Sequence, residues 1–217
     1  MKKSFFLIAF SALFTFSAFA RIEISPRLFG EFLNTDYKTT GYSEKIFLQN
    51  YGAEIQGQFF LTSAGFFDFG LFASLDAGGG IFKTESELKS INFILDELYV
   101  ETSSESVSNP QFTIGGSLAP AIQMNIGWLH SIYISPGFRF AFIRRSYNDG
   151  ESSKTLSYTI PEVTAEAGYK IWLWENIALT AGYRYALPLS IMTSDSKIEF
   201  DTAADHRFFL GISWKIK

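Results

Sequence analysis

Between Ile160 and Leu187 two runs of alternating residues are joined by a short turn, and one face of the alternation carries ions. Val163, Ala165, Ala167, Tyr169 and Ile171 fall on one face; Glu162, Thr164, Glu166, Gly168 and Lys170 fall on the other. After Trp174-Glu175-Asn176 the pattern resumes. Ile177, Leu179, Ala181, Tyr183, Tyr185 and Leu187 face one way, and Ala178, Thr180, Gly182, Arg184 and Ala186 face back. Successive side chains of a strand point to opposite sides, so such runs around a tight turn predict a β-hairpin. The wide apolar face is aromatic and uncharged, while the other face mixes Glu, Lys and Arg with glycine. A soluble barrel around a greasy ligand would be wired the opposite way. This wiring predicts a transmembrane β-barrel with lipid outside and a crowded polar lumen.

The rest of the chain repeats the pattern. A first strand, about 22–33, turns Ile22, Ile24, Leu28 and Phe32 outward and Glu23, Ser25, Arg27 and Glu31 inward. A second (46–61) and a third (66–77) follow. The stretch 78–110 is predicted as a long surface loop: Gly78-Gly79-Gly80 is expected to break the strand. Phe93–Glu101 puts a charge on either face, a poor membrane register; it is placed above the bilayer, paired with the upper half of the next strand. That strand, 111–128, alternates without a slip but is longer than the roughly 9–11 residues a crossing needs. Strands at 131–145, 160–172, 177–187 and 206–217 complete eight. Pro120 and Pro136 lie inside strands, where bulges or local edges are expected.

The connections alternate, short (62–65, 128–131, 172–176) with long (36–45, 78–110, 146–156, 190–205), as in bacterial outer-membrane barrels with tight periplasmic turns. Independently, Trp128, Trp172, Trp174 and Trp214 all fall at the periplasmic ends, an aromatic belt at headgroup level. The fold class predicted is all-β, an eight-stranded antiparallel up-and-down transmembrane barrel. The rival has ten strands, with 93–101 and 111–117 as an extra hairpin turning near Pro120.

Composition agrees. Of the 217 residues, 47% are hydrophobic and 18% aromatic, yet none is cysteine. A disulfide framework, a thiolate metal site and lipoprotein anchoring are therefore excluded. Lys2 and Lys3 precede an apolar run, and Ala18-Phe19-Ala20 closes it, so residues 1–20 read as a secretory signal cleaved after Ala20. Without Lys2 and Lys3 the 18 basic residues become 16 against 22 acidic ones, net −6, which argues against nucleic acid. The mature domain is then 21–217, in the outer membrane of a diderm bacterium.

This architecture resembles the small eight-stranded outer-membrane proteins of the OmpA-transmembrane-domain and OmpX type. The resemblance covers the mature chain. The terminal run Phe208–Ile216 is similar to the C-terminal signal of such proteins, implying outer-membrane lipids and the barrel-insertion machinery as partners. That signal usually ends in Phe, and here Ile216-Lys217 stands instead. The peptidoglycan-binding domain of some family members is not expected.

By register, Glu23, Glu31, Glu54, Asp68, Asp76, Glu162 and Glu166 face inward with Arg27, Arg139, Arg145, Lys170, Arg184, Arg207 and Lys215. These are expected to pair as a lumen-plugging network, the sharper alternative being a gated narrow path. Gly70, Gly137, Gly168, Gly182 and Gly211 share that face and would make room for long side chains. Two pairs have residue types suited to hydrolase or acyltransferase chemistry, His130-Ser131 in a turn and Asp205-His206 at a solvated loop end. Asp195, Glu199, Asp201 and Asp205 are carboxylates of the kind that gather Ca²⁺, but their spacing matches no binding loop. No catalytic residue, metal or cofactor is assigned. The function expected is a non-enzymatic barrel whose surface loops serve envelope structure or adhesion. A narrow solute channel and an outer-membrane lipid hydrolase or acyltransferase are the alternatives.

Overall fold

The computed structural model describes residues 21–39, 42–94, 97–148, 153–192, 197–199 and 202–216. The signal segment 1–20, Asp195 and Asp201 lie outside them. In chain order the strands are β1 (Arg21–Thr39), β2 (Tyr42–Ala64), β3 (Phe67–Ile94), β4 (Glu97–Ile126) and β5 (His130–Asn148). There follow β6 (Ser153–Trp172), β7 (Ile177–Pro188), β8 (Ser190–Met192), β9 (Lys197–Glu199) and β10 (Thr202–Ile216). Each long strand pairs antiparallel with its chain neighbour, β7 pairs with β10, and β10 pairs with β1. The sheet closes on itself as an eight-stranded ring. β8 prolongs β7 against β6 through Thr159 and Met192, and with β9 makes a small hairpin beyond the wall. Full closure leaves no strand edge to be satisfied by water, the condition for a sheet to stand in lipid.

Three short connections gather at one end of the barrel. Gly65 and Gly127 adopt a positive φ of 64° there, which costs a glycine little. At the third, the amides of Leu173 and Trp174 donate to the Ile177 carbonyl at 2.9 and 3.2 Å. At the other end the strands rise as long hairpins.

Two expectations about that end are corrected. Gly78-Gly79-Gly80 does not break the strand: Gly78 pairs with Gly52 and Thr113, and Gly80 with Asn50 and Gln111. A Cβ on Gly80 would lie 1.8 Å from the Gln49 carbonyl oxygen, so the bare backbone permits close strand approach. Residues 78–94 thus continue β3 and residues 97–110 open β4, and their upper parts form the protruding hairpin expected. Phe93–Glu101 does not pair with the upper half of the next strand. It straddles the tip of that hairpin, with Phe93 opposite Leu98 and Ser90 opposite Glu101, and its second half runs straight into the strand that carries Gln111. The ten-stranded rival fails for the same reason, because β4 passes through Pro120 without a turn.

Of the bulge or local edge expected at Pro120 and Pro136, the second is found. Leu118 pairs with Phe138 and Ile122 with Ile134, so register is equal on both sides of an unpaired interval. The two prolines stand opposite each other, each lacking an N–H, and the ladder opens there without slipping. Ser135 Oγ donates to the Pro120 carbonyl oxygen at 2.6 Å and replaces part of what is lost. Among the described residues a register shift lies elsewhere, between Phe60 and Thr62.

Candidate functional site

Alternation along every wall delivers the inward residues to a narrow interior. Leu28, Leu75, Leu118, Phe138 and Leu210 are exposed outside, whereas Arg27, Asp76, Ser117, Arg139 and Arg207 are buried inside. Three tiers follow along the axis.

Nearest the short turns, Lys170 Nζ is held by Glu23, by Gln58 and, at 2.9 Å, by Gln123. Arg21 bridges Glu23 at 2.9 Å and Asp68 at 2.7 Å. Asp68 also accepts from Asn125 Nδ2 at 2.6 Å. Trp172 closes this mouth, its indole N–H donating to Ser131 Oγ at 2.9 Å while Lys215 Nζ lies 4.0 Å from the ring centroid.

The middle tier is a continuous ionic cluster. Glu166 accepts from Arg27 at 2.7 Å and from Arg184 at 2.5 Å. Glu54 meets Arg27, Arg184 and Arg207, the last two at 3.0 Å. Tyr133 donates its hydroxyl to Glu166 at 2.8 Å and accepts from Arg27 at 2.9 Å. Arg207 joins Glu31 at 2.5 Å and Asp76 at 3.1 Å. Arg139 bridges Asp76, Glu31 and Glu162 within 3.0 Å and reaches Asp205 at 3.7 Å. Guanidinium faces are covered as well as their edges: Arg27 lies 3.9 Å from the Phe209 centroid and Arg207 4.0 Å from that of Phe29. Flat, weakly hydrated cations stack on rings while their N–H groups fork to carboxylates, an arrangement lysine cannot reproduce.

Above the ions sits an apolar cap of Leu33, Leu48, Phe82, Ala141, Ile143 and Ile160, with Tyr158 stacked on Phe82. Beneath it, between Glu31, Thr113, Arg139, Glu162 and Asp205, a cavity holds about 10 Å³. That is no more than one water molecule requires.

Of the fourteen charged residues assigned inward from sequence, twelve are buried in these ionic tiers and Lys215 lies at the closed mouth. Arg145 is half-buried beside the cap and stacks 4.4 Å from the Phe82 centroid. Two members were missed, Arg21 and Asp205, one of each sign. Asp205 corrects an expectation outright: it is a buried luminal carboxylate, not a solvated loop end. The alternation already held that signal, since Asp205 shares a face with Arg207. It also missed the luminal apolar residues Phe29, Leu33, Phe60 and Phe72, whose odd–even position was legible but whose hydrophobicity pointed outward.

Trp172 turns inward, while Trp128, Trp174 and Trp214 remain exposed at the short-turn end. The two histidine pairs are separated by the pleat. Ser131 and Asp205 are inside; His130 and His206 are outside, their Nδ1 atoms 2.6 Å from the Tyr169 and Tyr183 hydroxyls. Among the described residues no group of acidic or histidine side chains is placed to hold a metal ion. The inward glycines divide. A Cβ at Gly168 would strike Tyr133 and one at Gly182 would strike Phe209, both at 2.3 Å, whereas Gly70 makes room for the Phe59 carbonyl. Gly115 was not foreseen: its missing side chain leaves space for the Arg139–Asp76 pair.

No family model matches the chain, and no curated protein matches it in sequence. Solved structures do match in fold. The attachment invasion locus protein Ail of Yersinia pestis, crystallised with the heparin analogue sucrose octasulfate, superposes with a TM-score of 0.51 at 16% identity. The match covers 91% of this chain and 99% of Ail. The outer membrane protein OprG of Pseudomonas aeruginosa gives 0.53 at 9% identity, covering 91% and 96%. Neisserial surface protein A gives 0.50 at 14%, covering 90% and 97%. The fold is therefore that of the small outer-membrane β-barrels.

Proposed function

We propose that this chain is exported on the signal segment 1–20, cleaved after Ala20, and inserted into the outer membrane of a diderm bacterium. There it acts as a closed, non-enzymatic barrel that works through its surface hairpins, with the short turns on the periplasmic side. One observation carries the reading: the lumen is filled from wall to wall by paired ions and capped by apolar side chains. A solute would have to break several buried ion pairs at once. The separation of His130 from Ser131 and of Asp205 from His206 speaks against the hydrolase alternative.

The planar-bilayer conductance of refolded protein tests this directly. A silent membrane is expected; stepwise single-channel currents would replace the closed barrel with the narrow channel.

The surface role draws support from the attachment function in the name of the Yersinia protein, but the chemistry differs from its anionic ligand. Residues 85–106 at the β3–β4 tip contain Glu85, Glu87, Asp96, Glu97, Glu101 and Glu105 against Lys89 alone. Such a hairpin favours a cationic partner. With the protein in nanodiscs, polylysine should bind and sucrose octasulfate should not. Replacing 85–106 by a two-residue turn should abolish polylysine binding and leave the barrel folded. Equal binding with and without the hairpin would exclude it as the interaction surface.

A further inference from the structure

The ions of the lumen do not cancel evenly. Near the short turns Glu23 and Asp68 are met by Arg21 and Lys170. In the middle Glu54 and Glu166 are met by Arg27 and Arg184. Above them, among the described residues, Glu31, Asp76, Glu162 and Asp205 share only Arg139 and Arg207. Arg207 is divided with Glu54 as well. Four carboxylates against two guanidiniums leave two negative charges over, beneath an apolar cap. A buried carboxylate without a counter-charge is far costlier than one that is paired.

The surplus gathers at one place. Asp205 meets Arg139 alone, at 3.7 Å, and its Oδ1 is buried without a hydrogen-bond partner. Thr113 Oγ1 is buried and unpartnered as well, so the two do not bond each other. Both residues line the cavity of about 10 Å³ beneath the cap, with Glu31, Glu162 and Arg139 around it. Arg145, the other inward base at this end, is turned to Phe82. Thr113 comes from β4, Glu162 from β6 and Asp205 from β10, so only the closed ring brings them together. The orphaned oxygens face a space of net negative charge and call for a positive group no larger than a water molecule. A proton would neutralise one carboxylate without reaching across to the other oxygen. Among the described residues no acidic cluster of the kind that holds a divalent metal is present. Charge and size both point to a monovalent ion.

We infer that the upper lumen holds one monovalent cation, seated between Asp205, Thr113 and Glu162, as the last member of the plug. Ammonium matches the site best, because its N–H groups supply the donors that the orphaned acceptors lack; potassium brings the same charge at a similar size. The site rests on the closed-barrel reading, since in an open lumen water would solvate the surplus carboxylates. An ion that binds the folded chain and not the unfolded one raises the folded-to-unfolded ratio by about tenfold for each tenfold increase above its dissociation constant.

Equilibrium urea unfolding of residues 21–217, refolded in lipid, tests the site. Chlorides of ammonium, potassium and sodium are compared with N-methylglucamine chloride at one ionic strength, which holds surface screening constant. The unfolding midpoint should rise with the concentration of at least one small cation and not with the bulky one, and whichever raises it is the occupant. Asp205→Asn should abolish the rise. Thr113→Val keeps the charges but loses an oxygen, and should demand more cation for the same shift. If Asp205→Asn does not fold, Thr113→Val and the unsubstituted chain decide. Equal midpoints in all four salts, an undiminished rise in Asp205→Asn, or a midpoint that answers to acid but to no cation would each overturn the inference. Planar-bilayer recording of the same preparation separates the two readings. Silence without cation dependence removes the site and keeps the closed barrel, whereas currents overturn the closed barrel and the site with it.

Discussion

A carboxylate inside this barrel is valuable less for its attraction than for what its loss strands. Taking ions out of water cancels much of the Coulombic gain of pairing, but removing one member leaves its partner buried and uncompensated. Glu166 serves Arg27, Arg184 and Tyr133 together. Glu166→Ala should destabilise the folded barrel by about 3–5 kcal/mol, read by urea unfolding in lipid with tryptophan fluorescence. Combining it with Arg27→Met should recover most of the loss, because one cation leaves with the carboxylate and Arg184 keeps Glu54. If the double variant is worse than the single one, the ions are stabilising in themselves. Steric tolerance at this scale is equally local. Gly168→Leu drives a side chain into Tyr133 and should cost about 1–3 kcal/mol or more by overpacking, whereas Gly57→Leu on the outer wall should cost far less.

Strands behave as units because both of their faces are spoken for. A one-residue slip would carry every ion of a strand into lipid, so register holds even where the ladder has a gap. The Pro120–Pro136 interval shows this: hydrogen bonding lapses, and the pairing resumes unshifted. The Ser135 hydroxyl is the local repair. Ser135→Ala should leave the Pro120 carbonyl unpaired in a low-dielectric wall and lower stability by about 1–3 kcal/mol, with Ser135→Thr restoring most of it. Hydrogen exchange of the Ala119 and Ala121 amides should rise in the same variant. Unchanged exchange would mean that the bond does not hold the gap closed. The β3–β4 hairpin is the opposite case, since its upper part stands clear of the ring and its removal should leave heat-dependent gel mobility intact.

At the scale of the molecule the barrel inverts a soluble protein, apolar outside and ionic within, yet the inversion is incomplete. Phe29, Phe60, Phe72 and Phe209 are buried among the charges, and an apolar cap closes the top. A lumen plugged by ions alone would exchange partners with entering water and pass small ions. One sealed in addition by side chains that water avoids should stay silent at any salt concentration. Single-channel recording from low to molar salt checks this, and a current that grows with salt would show that the cap leaks.

What the chain determines by itself is its alternation. Eight runs of period two, with glycine turns and ions on one side only, dictate strands, their number, their inside and outside, and hence closure in a membrane. Twelve luminal charges were legible from parity for that reason, and three of the four lipid-edge tryptophans from their place at the strand ends. Tertiary structure decided what parity cannot express. It paired Glu54 with three arginines from three strands, turned Trp172 into a plug, and carried the Gly78–Gly80 run on as strand because partners on both sides supplied the order glycine lacks. It set Pro120 opposite Pro136. Parity is a property of one strand and its own backbone geometry, whereas neighbourhood depends on register and shear around the closed ring, which no single strand contains.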